Sequence, residues 1–187
     1  MNLANKLTVF RIFCIPIFVV LMFVDFPFHY LSALIVFVVA SITDFLDGKI
    51  ARKNNWVTNF GKFMDPLADK LLVSAALISL IPQFNKYQWI YIVIVIVIIS
   101  RELFISGFRT LAADQGIVLA AGWSGKVKTA TQMVMLIVLI AYSDKGLWFI
   151  RNDFFKYLGW VLIWASLALT IISMVDYVKS NINVLKN

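Results

Sequence analysis

At 187 residues, with 61% hydrophobic side chains and a mean hydropathy of +0.88, the chain is too oily to be a soluble domain and reads as a polytopic membrane protein. Its formal charge of +7 has no soluble basic domain or arm to carry it, so it does not by itself suggest nucleic acid, and no nucleic-acid partner is expected. The lone cysteine, Cys14, lies in an apolar segment, cannot form an intramolecular disulfide and says nothing about redox compartment.

The apolar runs predict six spans, at about 7–24, 30–52, 61–82, 88–108, 125–143 and 157–178, in an all-α domain covering 1–187. The run after Lys6 is too long for a cleavable signal, and further spans follow it. Short connections at Asp25–His29 and Pro82–Tyr87 imply antiparallel neighbours and a helical bundle. Alternating the loops assigns Lys6, Arg11, Lys49, Arg52, Lys53, Lys62, Lys70, Arg101, Arg109, Lys126, Lys128, Lys179 and Lys186 to one side. Lys86, Lys145, Arg151 and Lys156 fall on the other. That bias puts both termini in the cytoplasm.

Charge also reaches unusual depth. From Tyr30 to Thr43 is 14 residues, roughly 21 Å of helix against about 30 Å of hydrocarbon. Asp44 therefore lies below the cytoplasmic interface. Spans 1, 3, 4 and 5 carry Arg11, Asp69, Arg101 and Lys128 to similar levels, whereas span 6 is apolar from Tyr157 to Val175 and is expected to be mainly structural. The pattern predicts a polar cavity open to the cytoplasm.

Thr43–Lys70, TDFLDGKIARKNNWVTNFGKFMDPLADK, holds four of the ten acidic residues. On helices, Asp44 and Asp47 (i, i+3) share one face and Asp65 and Asp69 (i, i+4) another, with β-carbons roughly 5–6 Å apart. If the two spans are neighbours, four carboxylates converge, and such crowding resists full ionisation unless a divalent cation, or a pair, relieves it. All-oxygen ligation suits Mg²⁺ or Mn²⁺. Snorkelling accounts for lysines such as Lys53 and Lys62, but aspartate is too short for it, and charge at depth costs at least about 2.5–3.5 kcal/mol. His29, the only histidine, falls at the opposite face as an interfacial residue. Pro66 fits the first turn of span 3.

Written with spacings, the stretch is Asp44-x2-Asp47-Gly48-x2-Ala51-Arg52-x8-Gly61-x3-Asp65-x3-Asp69. It resembles the signature of the CDP-alcohol phosphotransferase family at every fixed position, as does the six-span layout. The resemblance implies transfer of a phosphatidyl or similar group from a CDP-linked donor to an alcohol, with release of CMP. It also implies two Mg²⁺ or Mn²⁺ ions on Asp44, Asp47, Asp65 and Asp69, with Asp69 at the cluster's edge as general base. Such chemistry needs charge neutralisation and positioning more than covalent catalysis. Gly48, Ala51 and Gly61 are small enough to admit a nucleotide close to the backbone, or to pack helices closely. Arg52 offers a bidentate phosphate contact or a helix-end anchor. Asn5, Thr8 and Arg11 repeat at i, i+3, i+6, similar to the opening of bacterial family members that use glycerol 3-phosphate. They read either as the nucleotide side of the cavity or as a cap plus an interfacial arginine.

Arg101, Arg109, Lys126 and Lys128 place four cations near the cytoplasmic ends of spans 4 and 5, with only Glu102 and Asp114 nearby. A neutral acceptor would not need them; a phosphorylated one would, although Arg101 could instead pair with Glu102 or Asp69. SRELFISGFR (100–109) and GWSGKVKT (122–129) are again similar to the glycerol 3-phosphate-using members. CDP-diacylglycerol and glycerol 3-phosphate are the expected substrates, in a bacterial cytoplasmic membrane, surrounded by membrane lipids, with a homodimer implied by the resemblance. Inositol phosphate, serine or phosphatidylglycerol as acceptor is the nearer alternative. A divalent-cation transporter is the distant one, opposed by the almost wholly apolar outer halves of the spans.

Overall fold

A computed structural model of the chain describes residues 3–53, 59–117, 119, 122–147 and 149–182, excluding the side chains of 3–5, 45–53, 59–63, 65 and 66. Six α-helices and no strand occur among the described residues: α1 (Leu3–Phe23), α2 (His29–Lys53), α3 (Asn59–Ser79), α4 (Gln88–Asp114), α5 (Trp123–Ser143) and α6 (Asp153–Ser180). A 3₁₀ segment, Ile81–Tyr87, leads into α4 and fills what the sequence predicts as a loop.

Each helix matches one predicted span, but α4 runs to Asp114 and α6 starts at Asp153. Hydropathy marks where a chain crosses oil, and a helix of good formers such as Leu111–Ala113 continues past that point until something stops it. Gly116 stops α4: it adopts φ +74°, donates its N–H to Ala113 at 2.9 Å, and Ile117 N–H returns to Ala112 at 2.9 Å. Among the described residues, α1, α4, α5 and α6 are long and apolar enough to cross a membrane, while α2 offers the shorter apolar segment His29–Asp44. Charges of the acidic stretch occupy the remainder of α2 and the start of α3. The chain is an integral membrane protein.

Two compact units partition the chain: Met1–Gln83 with Leu139–Asn152, and Phe84–Val138 with Asp153–Asn187. In the first, α1 packs on both α2 and α3, which also touch each other. Thr8, Arg11, Cys14, Phe18 and Met22 form the buried face of α1, while Phe10, Phe13, Ile17 and Val20 point outward, where lipid is their natural surround. Ala33, Phe37 and Ala40 of α2 and Ala68, Leu72 and Ala76 of α3 are buried. These small alanines let backbones approach, and Phe18 meets Phe37 at 5.8 Å between ring centroids.

In the second unit α4 and α6 pack together and run parallel. Tyr91 stacks on Phe84, which meets Trp160 edge-on; Arg101 reaches Ser173, and Phe108 reaches Tyr177, so contacts advance in the same direction along both helices. α6 is less uniformly apolar on its buried face than its composition suggests. Its buried face includes Ser166, Thr170, Ser173 and Tyr177, a polar stripe at i, i+4, i+7, i+11 hidden within an apolar composition.

In the first unit, Asp144 lies just past α5 and is buried. Its Oδ2 accepts the Leu31 N–H at 2.8 Å and its Oδ1 the Gly146 N–H at 2.7 Å. It thereby caps the first turn of α2 from a point distant in sequence. Gly146 leaves no room for a side chain there, because a Cβ would collide with the Phe28 ring. Replacing Asp144 by Ala should cost about 1–2 kcal/mol, read as a lower thermal midpoint of the purified protein. Asp144→Asn, which keeps an acceptor oxygen, should lose less than half as much. An unchanged midpoint for Asp144→Ala would show that the cap carries no stability.

Candidate active site

The acidic stretch lies on the first unit. Helix α2 is continuous through Lys53 and α3 begins at Asn59, so Asp44 and Asp47 stand one turn apart on one helix and Asp65 and Asp69 one turn apart on its packing neighbour. This is the register that convergence requires. The side chains of Asp47, Gly48, Ala51, Arg52, Gly61, Asp65 and Asn5 lie outside those described, leaving Asp44 and Asp69 of the four carboxylates. Among the described residues, no three His, Cys, Asp or Glu side chains form a group that could hold a metal.

Asp44 has a partner that its spacing does not reveal. Arg11 of α1 forms an ion pair with it through Nη1, the arginine side chain 0% exposed and the aspartate 38% exposed. A guanidinium taken wholly out of solvent needs a counter-charge, because an unpaired buried ion costs several kcal/mol. The pair is thus closed on the arginine side and open on the carboxylate side. Arg11 is buried, as is Thr8 one turn before it. Asp69 is exposed, and the adjoining Ala68 is buried, so α3 turns its apolar face inward and offers the carboxylate outward.

The predicted acceptor cations lie on the second unit and divide into separate contacts. Arg101 Nη1 donates to Glu102 Oε1 at 3.1 Å, and Lys128 Nζ of α5 pairs with the same oxygen. Arg101 Nη2 donates to Ser173 Oγ at 2.9 Å, and that hydroxyl donates to the Thr170 carbonyl at 3.1 Å. Arg101 and Lys128 are both buried. Eight residues on, Arg109 Nε donates to the Tyr177 hydroxyl at 3.2 Å, with the guanidinium 5.5 Å from the ring centroid. Lys126 is exposed. Arg101 and Lys128 are therefore brought together through Glu102, and Arg109 is held apart by α6.

Glu102, Ser173 and Tyr177 were not among the expected site residues. The spacing of Ser166, Thr170, Ser173 and Tyr177 could have revealed the two on α6. Nothing in the sequence indicates that one glutamate serves two cations, one of them 26 residues away.

The sequence model described as CDP-alcohol phosphatidyltransferase matches residues 1–172. A Bacillus subtilis (strain 168) protein named CDP-diacylglycerol–glycerol-3-phosphate 3-phosphatidyltransferase is 40% identical, covering 99% of this chain and 97% of its own length. Proteins of the same name from Rickettsia bellii and Pseudomonas fluorescens are 37% and 35% identical. Each covers 96% of this chain, and they are covered over 94% and 90% of their own lengths. With the aspartate spacing retained on two packed helices, and the match running through both units, this chain belongs to the CDP-alcohol phosphatidyltransferase family.

Proposed function

We propose that the protein transfers the phosphatidyl group of CDP-diacylglycerol to sn-glycerol 3-phosphate, giving phosphatidylglycerophosphate and CMP. The observation that carries this reading is near-full-length identity of 35–40% to several proteins named for that reaction. The Arg101–Glu102–Lys128 group supports a phosphorylated acceptor, since two buried cations of net positive charge with their glutamate suit a phosphate better than a zwitterion such as serine, which has no net charge.

On this reading Asp44, Asp47, Asp65 and Asp69 hold the divalent cations, Mg²⁺ or Mn²⁺, about two per chain as such transfers use. The donor set fits: all oxygen, from two adjacent helices at one-turn spacing, with Asp44 oriented from behind by Arg11. When bound, the cations supply charge neutralisation at the donor pyrophosphate. Gly48, Ala51 and Gly61 admit the nucleotide, with Arg52, Asn5 and Thr8 on its side. Arg11 lies on the same side and also pairs with Asp44.

Asp69 accepts the proton of the acceptor's primary hydroxyl as that oxygen bonds to the phosphorus bearing diacylglycerol. The bond from that phosphorus to the bridging oxygen breaks, and CMP leaves with the electron pair. The acceptor phosphate rests on the cations of α4 and α5, with Arg109 and Lys126 nearer the surface. The excess of basic residues places the acidic stretch and both termini on the cytoplasmic side of a bacterial cytoplasmic membrane, where a polar cavity receives the soluble acceptor while the donor tails stay in lipid. A homodimer is expected.

Purified protein should release CMP from CDP-diacylglycerol only when glycerol 3-phosphate and Mg²⁺ are both present. Release with serine or inositol phosphate in its place would contradict the acceptor assignment. Asp69→Asn should lower turnover at least about 100-fold while CDP-diacylglycerol binding persists; surviving turnover would remove Asp69 as the base. Asp44→Ala should lower the thermal midpoint of the protein even in EDTA, because it removes a counter-charge from the buried Arg11 guanidinium. A metal-free midpoint equal to wild type would show that the pair does not hold α1 to α2.

A further inference from the structure

We infer that Glu102 is a positioning residue: it holds Arg101 and Lys128 as a two-pronged phosphate clasp, with Ser173 of α6 fixing the arginine. The inference rests on the reading of these cations as the acceptor site.

The geometry is specific. Both cations bond the same oxygen, Glu102 Oε1, one from the adjoining residue of α4 and one from α5. Their nitrogens therefore lie within two hydrogen-bond lengths of each other, and two positive charges so close repel unless an anion sits between or beside them. The carboxylate provides that anion permanently. The three groups sum to one positive charge, enough to attract a phosphate without presenting two uncompensated cations to the bundle interior.

Arg101 also has a donor to spare. Its Nη1 goes to Glu102 and its Nη2 to Ser173, yet Nε is buried without a hydrogen-bond partner, in a residue only 8% exposed. Buried N–H groups of a charged side chain do not normally go unmet, so this one points to an oxygen brought by a ligand. Lysine and arginine both lose much rotamer freedom when fixed, and a shared glutamate settles that cost before the ligand arrives.

Steady-state kinetics varying each substrate separately test this. Glu102→Gln should raise KM for glycerol 3-phosphate about tenfold or more, as loss of a charge-assisted contact does, and leave KM for CDP-diacylglycerol within about twofold. Glu102→Asp should recover part of the loss, and Ser173→Ala should shift the same KM in the same direction by less. If Glu102→Gln leaves that KM unchanged, or moves both KM values together, while Arg101→Ala raises it selectively, positioning by Glu102 is wrong and the acceptor reading stands. If Arg101→Ala also leaves it unchanged, the acceptor reading fails and takes this inference with it. Should Glu102→Gln not fold, Glu102→Asp and Ser173→Ala decide, and no selective rise in either overturns the proposal.

Discussion

Charge cannot be left alone inside an apolar bundle, and in this chain that constraint decides which helices come together. Arg11 has no exposed surface, so α1 must bring it to a carboxylate, and it meets Asp44 of α2. Lys128 and Arg101 are likewise buried and share Glu102 as a counter-charge. Hydrophobic association does little between helices already surrounded by lipid, so polar pairs and small residues supply much of the specificity. Ala33, Ala40, Ala68 and Ala76 let α1, α2 and α3 approach, and the Arg11–Asp44 pair fixes the register at which they do so.

The same pairs prepare the chemistry. Displacing a phosphoryl group asks the protein for fixed charge in fixed places rather than for a strong nucleophile. A carboxylate gripped from behind by a buried guanidinium keeps its orientation whether or not a cation is present, and a lysine tied to a glutamate does not have to be immobilised when the acceptor arrives. On the proposed function, each contact that makes buried charge tolerable also pre-sets a group assigned to the reaction. This economy suits a chain of 187 residues with little structure outside the membrane.

Much of this was legible from the residues. Six apolar runs located six helices, and the aspartate spacing placed its carboxylates one turn apart on α2 and α3, because both depend on local periodicity. Helix ends were less legible. The extension of α4 to Asp114 depends on the positive φ at Gly116, and the cap on α2 comes from Asp144, 113 residues beyond Leu31. Partner choice was least legible. The sequence offered Glu102 or Asp69 as counter-charges for Arg101 and gave no hint that Arg11 would face Asp44, since such choices are made by packing between distant segments. α6 misled for a simpler reason: serine and threonine barely lower an average hydropathy, yet aligned on one face they form a polar seam.

The central claim is that the aspartates of α2 and α3 form one cation-binding centre. The most direct test is titration of the purified protein with Mn²⁺ followed by electron paramagnetic resonance, without acceptor. The account predicts saturable binding of about two ions per chain, competed by Mg²⁺ and lost on substituting Asp65 or Asp44 by asparagine. Titration without saturation, or binding unchanged by both substitutions, would contradict it.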